Sequence, residues 1–392
     1  MERNMTTMRI SDMAKRIQPS LTRRLFDMAQ KYDNVIDFTL GDPDYETPDY
    51  VKKAGCDAIM AGKTKYAANA GIAELRQVVA ARIEDETEVQ YDPDTEIQIT
   101  VGAMEGLFLT LCCLVNPGDE VIIPSPHWVN YGHMTEILNG VPVFVEAKEC
   151  DDFVVKPEAV RAAITDKTAA IIINSPNNPT GAVYDAATIE AICKMAVEHD
   201  FVIIWDECYK SILYDGAKYT SVLDFPGMKD HAVVINSCSK RYSMTGWRVG
   251  YLAGPAELVT NMPKLQENIA ACVTVPSQYA AIKALSSDDT EPDRMRAGFE
   301  SRRNVLIKGI NDIDKLSVRS PKGTFYAMVN IQGTGMTSEE FAYALLEKVQ
   351  VAVVPGITYG PACEGYVRIA FTMNEDKIEE GVRRIRRFVE SL

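Results

Sequence analysis

Lys240 and, eight positions later, Arg248 stand in one short stretch, SCSKRYSMTGWRVG (237–250). The apolar run AVVIN (232–236) ends just before them, and Ser237, Cys238 and Ser239 take over. A lysine shielded from water near other positive charge gives up its proton more easily and becomes a nucleophilic amine. The bland alternative for Lys240 is a surface lysine in an ion pair. Asp206 closes another apolar run, FVIIW (201–205), with Tyr209 three residues on. A carboxylate there can hold a cationic ligand group or cap a turn. Arg368 interrupts the apolar strand pattern YVRIAF (366–371). A buried arginine without a partner is costly, so it pairs either with a structural acid or with a ligand carboxylate, which its planar fork suits.

The elements around these residues alternate. Strand patterns occupy 96–101, 120–124, 141–147, 169–174, 201–207, 232–236 and 248–254, separated by segments with apolar residues at helical spacing. In 185–199 those residues are Ile189, Ile192, Cys193 and Ala196, with Asp185 as the N-cap. Uniformly apolar, β-branched runs between helices predict a mostly parallel sheet covered on both faces, in three α/β/α layers. The C-terminal part reads as a smaller α+β unit. Its strands fall at 324–331, 349–356 and 366–371, and its helices at 338–349 and 375–391. The expected domains are 46–290 and, joined together, 1–45 with 291–392. In open α/β sheets ligands sit outside the carboxyl ends of the strands, and polar residues collect there. They are Gly102-Ala103-Met104, Pro126-His127-Trp128, Asn177-Asn178-Pro179-Thr180-Gly181, Asp206 with Tyr209, and Ser237 to Lys240.

These segments, with LGDPD (40–44), TKYAANAGIAELR (64–76), NSPNNPTG (174–181) and DECY (206–209), resemble the class I pyridoxal-phosphate (PLP) aminotransferases of fold type I. The resemblance is to the prokaryotic aspartate and aromatic aminotransferase subgroup. It covers almost the whole chain, in order and spacing that chance does not supply. It implies that Lys240 carries PLP as a Schiff base, that Asp206 pairs with the pyridine nitrogen, and that Asn178 and Tyr209 donate to the ring's phenolate oxygen. It implies a phosphate site from the N–H groups of Ala103 and Met104 at a helix start, the hydroxyls of Ser237 and Ser239, and Arg248. Trp128 would stack on the ring; as a tryptophan it also reads as an ordinary core aromatic. Arg368 would take the substrate α-carboxylate, with a backbone N–H of Gly41 beside it. Tyr66 would reach the phosphate of a neighbouring subunit, which makes the active unit a homodimer. The implied reaction is ping-pong amino-group exchange between an L-amino acid and a 2-oxo acid.

The substrate is less well marked. Where members selective for acidic side chains often carry lysine, this chain has Met104, which cannot pair with a distal carboxylate. Arg23 and Arg24, after the lid-like segment Pro19-Ser20-Leu21-Thr22, are candidate substitutes, and solvated helix charge is their alternative. Aspartate with 2-oxoglutarate is the first expectation, an aromatic or broad-range donor the next. A C–S β-lyase acting on cysteine-type substrates is the rival reaction on the same cofactor.

Bulk properties exclude several other classes. With 392 residues the chain is too long for one ordinary core. Net charge is −14, which argues against a general nucleic-acid or anionic-membrane binder. A PLP-sensing transcriptional regulator, which needs a basic DNA-binding segment, is improbable on the same ground. No apolar run approaches the ~20 residues of a membrane helix, and the first residues are polar without a secretory apolar core. Nine scattered cysteines without metal-finger spacing read as reduced cytoplasmic thiols. Four histidines without HxxxH spacing give no expectation of a metal site.

Overall fold

The computed structural model describes residues 9–17 and 21–392, with Thr22, Arg23 and Phe26 described in their backbone alone. Pro19 and Ser20 of the lid-like segment, and the side chain of Arg23, therefore lie outside the described residues; Arg24 is exposed.

Seven strands form the larger sheet: β1 (Ile97–Thr100), β2 (Glu120–Ser125), β3 (Val141–Glu146), β4 (Thr168–Asn174), β5 (Val202–Asp206), β6 (Ala232–Ser237) and β7 (Gly250–Ala253). Their spatial order is β1-β7-β6-β5-β4-β2-β3. All pairings between β2 and β6 are parallel, whereas β7 runs antiparallel to both β6 and β1. Alternate residues leave the sheet on opposite faces. Ile171, Ile173, Ile203 and Trp205 enter one apolar cluster, and Ala170, Ile172 and Ile204 enter another. Both faces are thus covered, as the uniformly apolar strands predict. The Ala186–His199 helix starts at its expected cap, Asp185, whose side chain accepts from the Thr188 N–H at 2.9 Å.

The expected 248–254 strand needs correcting. Pairing begins only at Gly250, and Arg248 sits before it in left-handed backbone, φ 51°. Because β7 is antiparallel, its first residue lies at the edge where the parallel strands end: Gly250 is in register with both Ser237 and Thr100. The reversal brings Arg248 to the ligand edge.

A second sheet of four strands contains β8 (Ser317–Val318), β9 (Tyr326–Asn330), β10 (Val354–Pro355) and β11 (Tyr366–Ala370), ordered β10-β11-β9-β8 and antiparallel. The single strand expected over 349–356 is divided. Val351–Ala352 pairs instead with Ile36–Asp37 in a separate parallel pair. Helices Thr290–Asn311, Ser338–Val349 and Glu375–Glu390 cover this unit around a third cluster that includes Phe325, Leu345 and Phe388.

Residues 39–47 cross between the two sheets and are tied to both. Thr245 donates to Asp42, and Thr47 to the Ser243 carbonyl. On the other side Arg302 grips Asp44 with two nitrogens at 2.6 and 3.1 Å and lies over the Tyr45 ring. The fixed position of this segment matters because Gly41 lies on it.

Candidate active site

One cavity of about 380 Å³ opens at the carboxyl edge of the larger sheet. Gly41, Ala103, Met104, Trp128, Asn178, Asp206, Tyr209, Ser237, Ser239, Lys240, Arg248 and Arg368 all line it. Of the residues that the resemblance assigns to the cofactor and the α-carboxylate only Tyr66 does not. It is 90% exposed, and in this chain it faces solvent.

Asp206 ends β5 on the same side as Ile204. Tyr131 meets it there, donating its hydroxyl at 2.7 Å, and the Cys208 N–H donates at 3.1 Å. Burial raises the carboxyl above its ordinary range, and these two hydrogen bonds oppose the rise. Among the described residues no cation pairs with it. A protonated ring nitrogen is the kind of group that would complete this site.

Lys240 lies in the four-residue helix Cys238–Arg241, directly after β6, with Ser237 as the N-cap. Its Nζ donates to the Gly41 carbonyl at 2.7 Å. Sequence reasoning assigns Gly41 an N–H role; the structure shows its carbonyl in use. The Ser237 hydroxyl accepts from the Ser239 N–H at 3.3 Å.

Gly102 opens the Gly102–Leu114 helix with φ +70°, a conformation that favours glycine. A Cβ there would lie 2.6 Å from the Arg248 guanidinium. A Cβ on Gly250 would lie 2.8 Å from the Ala103 nitrogen. Two glycines thus let β7, the helix start and Arg248 close into a cradle of N–H donors and positive charge. Arg248 is anchored by donating to the carbonyls of Thr245 (3.0 Å) and Val101 (3.3 Å).

Arg368, on β11, is only 5% exposed. It donates to the Asn178 side chain at 3.2 Å and to the Thr39 carbonyl at 2.6 Å. Its buried Nε has no partner, and no acid pairs with it among the described residues. The structural salt bridge considered for it is absent there. A lysine amine, a buried acid without a cation, an anion cradle and an arginine with an unspent donor therefore share one cavity, and this set fits PLP together with an amino acid.

The model for "Aminotransferase class I and II" matches residues 33–385. The chain belongs to the class I and II aminotransferase family. It is a PLP-dependent transaminase with the fold type I architecture. It is 39% identical to aromatic-amino-acid aminotransferase 2 of Thermococcus litoralis, over 96% of this chain and 97% of that protein. It is 37% identical to an aspartate aminotransferase of Pyrococcus abyssi, over 96% and 97% respectively. The structure of Thermus thermophilus aspartate aminotransferase with maleate superposes with a TM-score of 0.91, at 35% identity, covering 97% of this chain and all of that one. Relatives named for amino transfer disfavour the β-lyase alternative.

Three lining tyrosines escaped the sequence reading: Tyr131, Tyr326 and Tyr359. Each is a tyrosine among apolar neighbours and reads as an ordinary core aromatic. The described residues contain no helix long and apolar enough to cross a membrane and no cluster of metal-ligating side chains, and all nine cysteines are free thiols.

The cradle yields a prediction. Gly102→Ala forces a Cβ against Arg248 and strains a positive φ. Its affinity for PLP, measured by equilibrium dialysis, should fall by about tenfold or more; unchanged affinity would remove the cradle from the phosphate site.

Proposed function

We propose that this transaminase exchanges the amino group of an L-amino acid with a 2-oxo acid at a site centred on Lys240, Asp206 and Arg368. The observation that carries the reading is the convergence of those three groups, each without a charged partner among the described residues, on one cavity. In this reading Lys240 is the attachment point for PLP, and Asp206 holds the proton on the ring nitrogen. Asn178 and Tyr209 offer donors to the ring oxygen, and Trp128 covers the ring. Ala103, Met104, Ser237, Ser239 and Arg248 surround the phosphate. The bound cofactor supplies an electron sink for charge developing at the substrate α-carbon. Arg368 fixes the α-carboxylate and so sets which substituent faces Lys240. Once free, the Lys240 amine takes the proton from the α-carbon and later returns one, as base and then acid.

The division into 46–290 and 1–45 with 291–392 belongs to the same reading, supported by separate apolar clusters under the two sheets. So does a homodimer in which Tyr66 serves the neighbouring site. Its support is the exposure of Tyr66 together with Met60, 87% exposed at the end of the preceding helix. The free thiols support a cytoplasmic setting.

Aspartate with 2-oxoglutarate is the first donor–acceptor pair, because most of the named relatives use aspartate. A specific observation favours aromatic or broad-range donors as the second reading. Met104 is 42% exposed at the cavity wall, and the cations lining that cavity are Lys240, Arg248 and Arg368. All three already have roles, so among the described residues none is left for a distal carboxylate.

Arg368→Lys keeps the charge and loses the fork. KM for the amino donor should rise by about a hundredfold, with PLP retained; unchanged KM would contradict the carboxylate role. A donor panel against 2-oxoglutarate separates the two substrate readings. Aspartate exceeding phenylalanine and tyrosine in kcat/KM by tenfold supports the first, and the reverse order supports the second.

A further inference from the structure

Tyr326 touches three of the residues at the site: Tyr209, Gly41 and Arg368. It lies on β9, where Met328 is in register with Arg368 and Tyr326 with Ala370. Tyr326 is therefore the diagonal neighbour of Arg368 on one sheet face, within reach of an aromatic side chain. Its ring centroid is 4.4 Å from the Arg368 Cζ, and the Tyr359 ring flanks the same guanidinium at 5.2 Å. Its hydroxyl lies 3.2 Å from that of Tyr209. The same hydroxyl is lodged against Gly41, where a Cβ would come within 1.7 Å of it. Gly41 in turn holds Lys240. Tyr326 is 3% exposed, so its hydroxyl has few alternatives to Tyr209.

We infer that Tyr326 is a positioning residue with two separable actions: its ring orients Arg368, and its hydroxyl directs the Tyr209 proton into the cavity. Each tyrosine has one hydroxyl proton. When Tyr326 donates to the Tyr209 oxygen, the proton of Tyr209 is left for an acceptor in the cavity. Burial, with Tyr326 next among the causes, holds the Tyr209 phenol well above its ordinary range, so it stays a donor. A donor aimed at an oxyanion on the bound ring favours its unprotonated form. The guanidinium, flanked by two rings, keeps its donor edge turned toward the carboxylate position.

The inference rests on the reading in which Lys240 carries the cofactor and Arg368 the α-carboxylate, and its two actions come apart in two variants. Tyr326→Phe removes the hydroxyl and keeps the ring. In the holoenzyme, the pH midpoint of the bound cofactor's visible absorbance should rise by about half a unit. KM for the amino donor should stay within about twofold of the parent. Tyr326→Met fills similar volume without a ring; it should show the same midpoint shift and an additional KM increase of about tenfold. An unmoved midpoint in Tyr326→Phe overturns the inference, as does a KM increase there equal to that of Tyr326→Met. The Tyr326→Phe result is sufficient alone if the methionine variant does not fold. The parent reading has its own test: pH-dependent absorbance of the bound cofactor that persists in Lys240→Ala would overturn it, and the inference with it.

Discussion

A buried carboxylate without a counter-charge is the constraint on which this molecule is organised. Asp206 stands at the end of a fully covered strand, with two hydrogen bonds and no cation among the described residues. Burial drives its proton affinity up, and a carboxylate in that position is costly to keep charged. In the proposed reading a cationic ring offsets that cost. Arg368 presents the complementary case across the same space, a buried cation with an unspent donor. In the proposed reading a cofactor and an amino acid supply the missing partners of both.

The two sheets divide the work. The larger one supplies Asp206 and Lys240 from the ends of parallel strands, and the turn into its antiparallel β7 adds Arg248 and one glycine of the cradle. The smaller one supplies Arg368 and Tyr326. The segment 39–47 holds them together through Arg302 on one side and Ser243 with Thr245 on the other. Gly41 has to be glycine there, since any side chain would displace the Tyr326 hydroxyl. Gly102 and Gly250 play the corresponding part at the cradle.

Much of this was legible in the sequence, for physical reasons. Uniformly apolar strands announce a sheet buried on both faces, and the sheet edge then tells where polar residues must gather. Lys240, Asp206 and Arg368 stood out because a charge inside an apolar pattern needs a partner. What stayed hidden was of two kinds. The antiparallel course of β7 leaves no mark, because a buried strand reads alike in either direction; nor does the left-handed backbone at Arg248, which delays the strand by two residues. The tyrosines at 131, 326 and 359 meet Asp206, Tyr209 and Arg368 through a hydroxyl or a ring face, on side chains that otherwise look like core. Tyr66 remains apart from the cavity of its own chain, and its proposed role needs a second subunit.

The central claim is that Lys240 forms the covalent bond to PLP. Borohydride reduction of the purified holoenzyme, followed by peptide mapping, tests it most directly. The account predicts that the yellow colour is lost and that the reduced cofactor is recovered on the peptide containing Lys240. Recovery on another lysine, or a colourless Lys240→Ala variant with normal turnover, would contradict it.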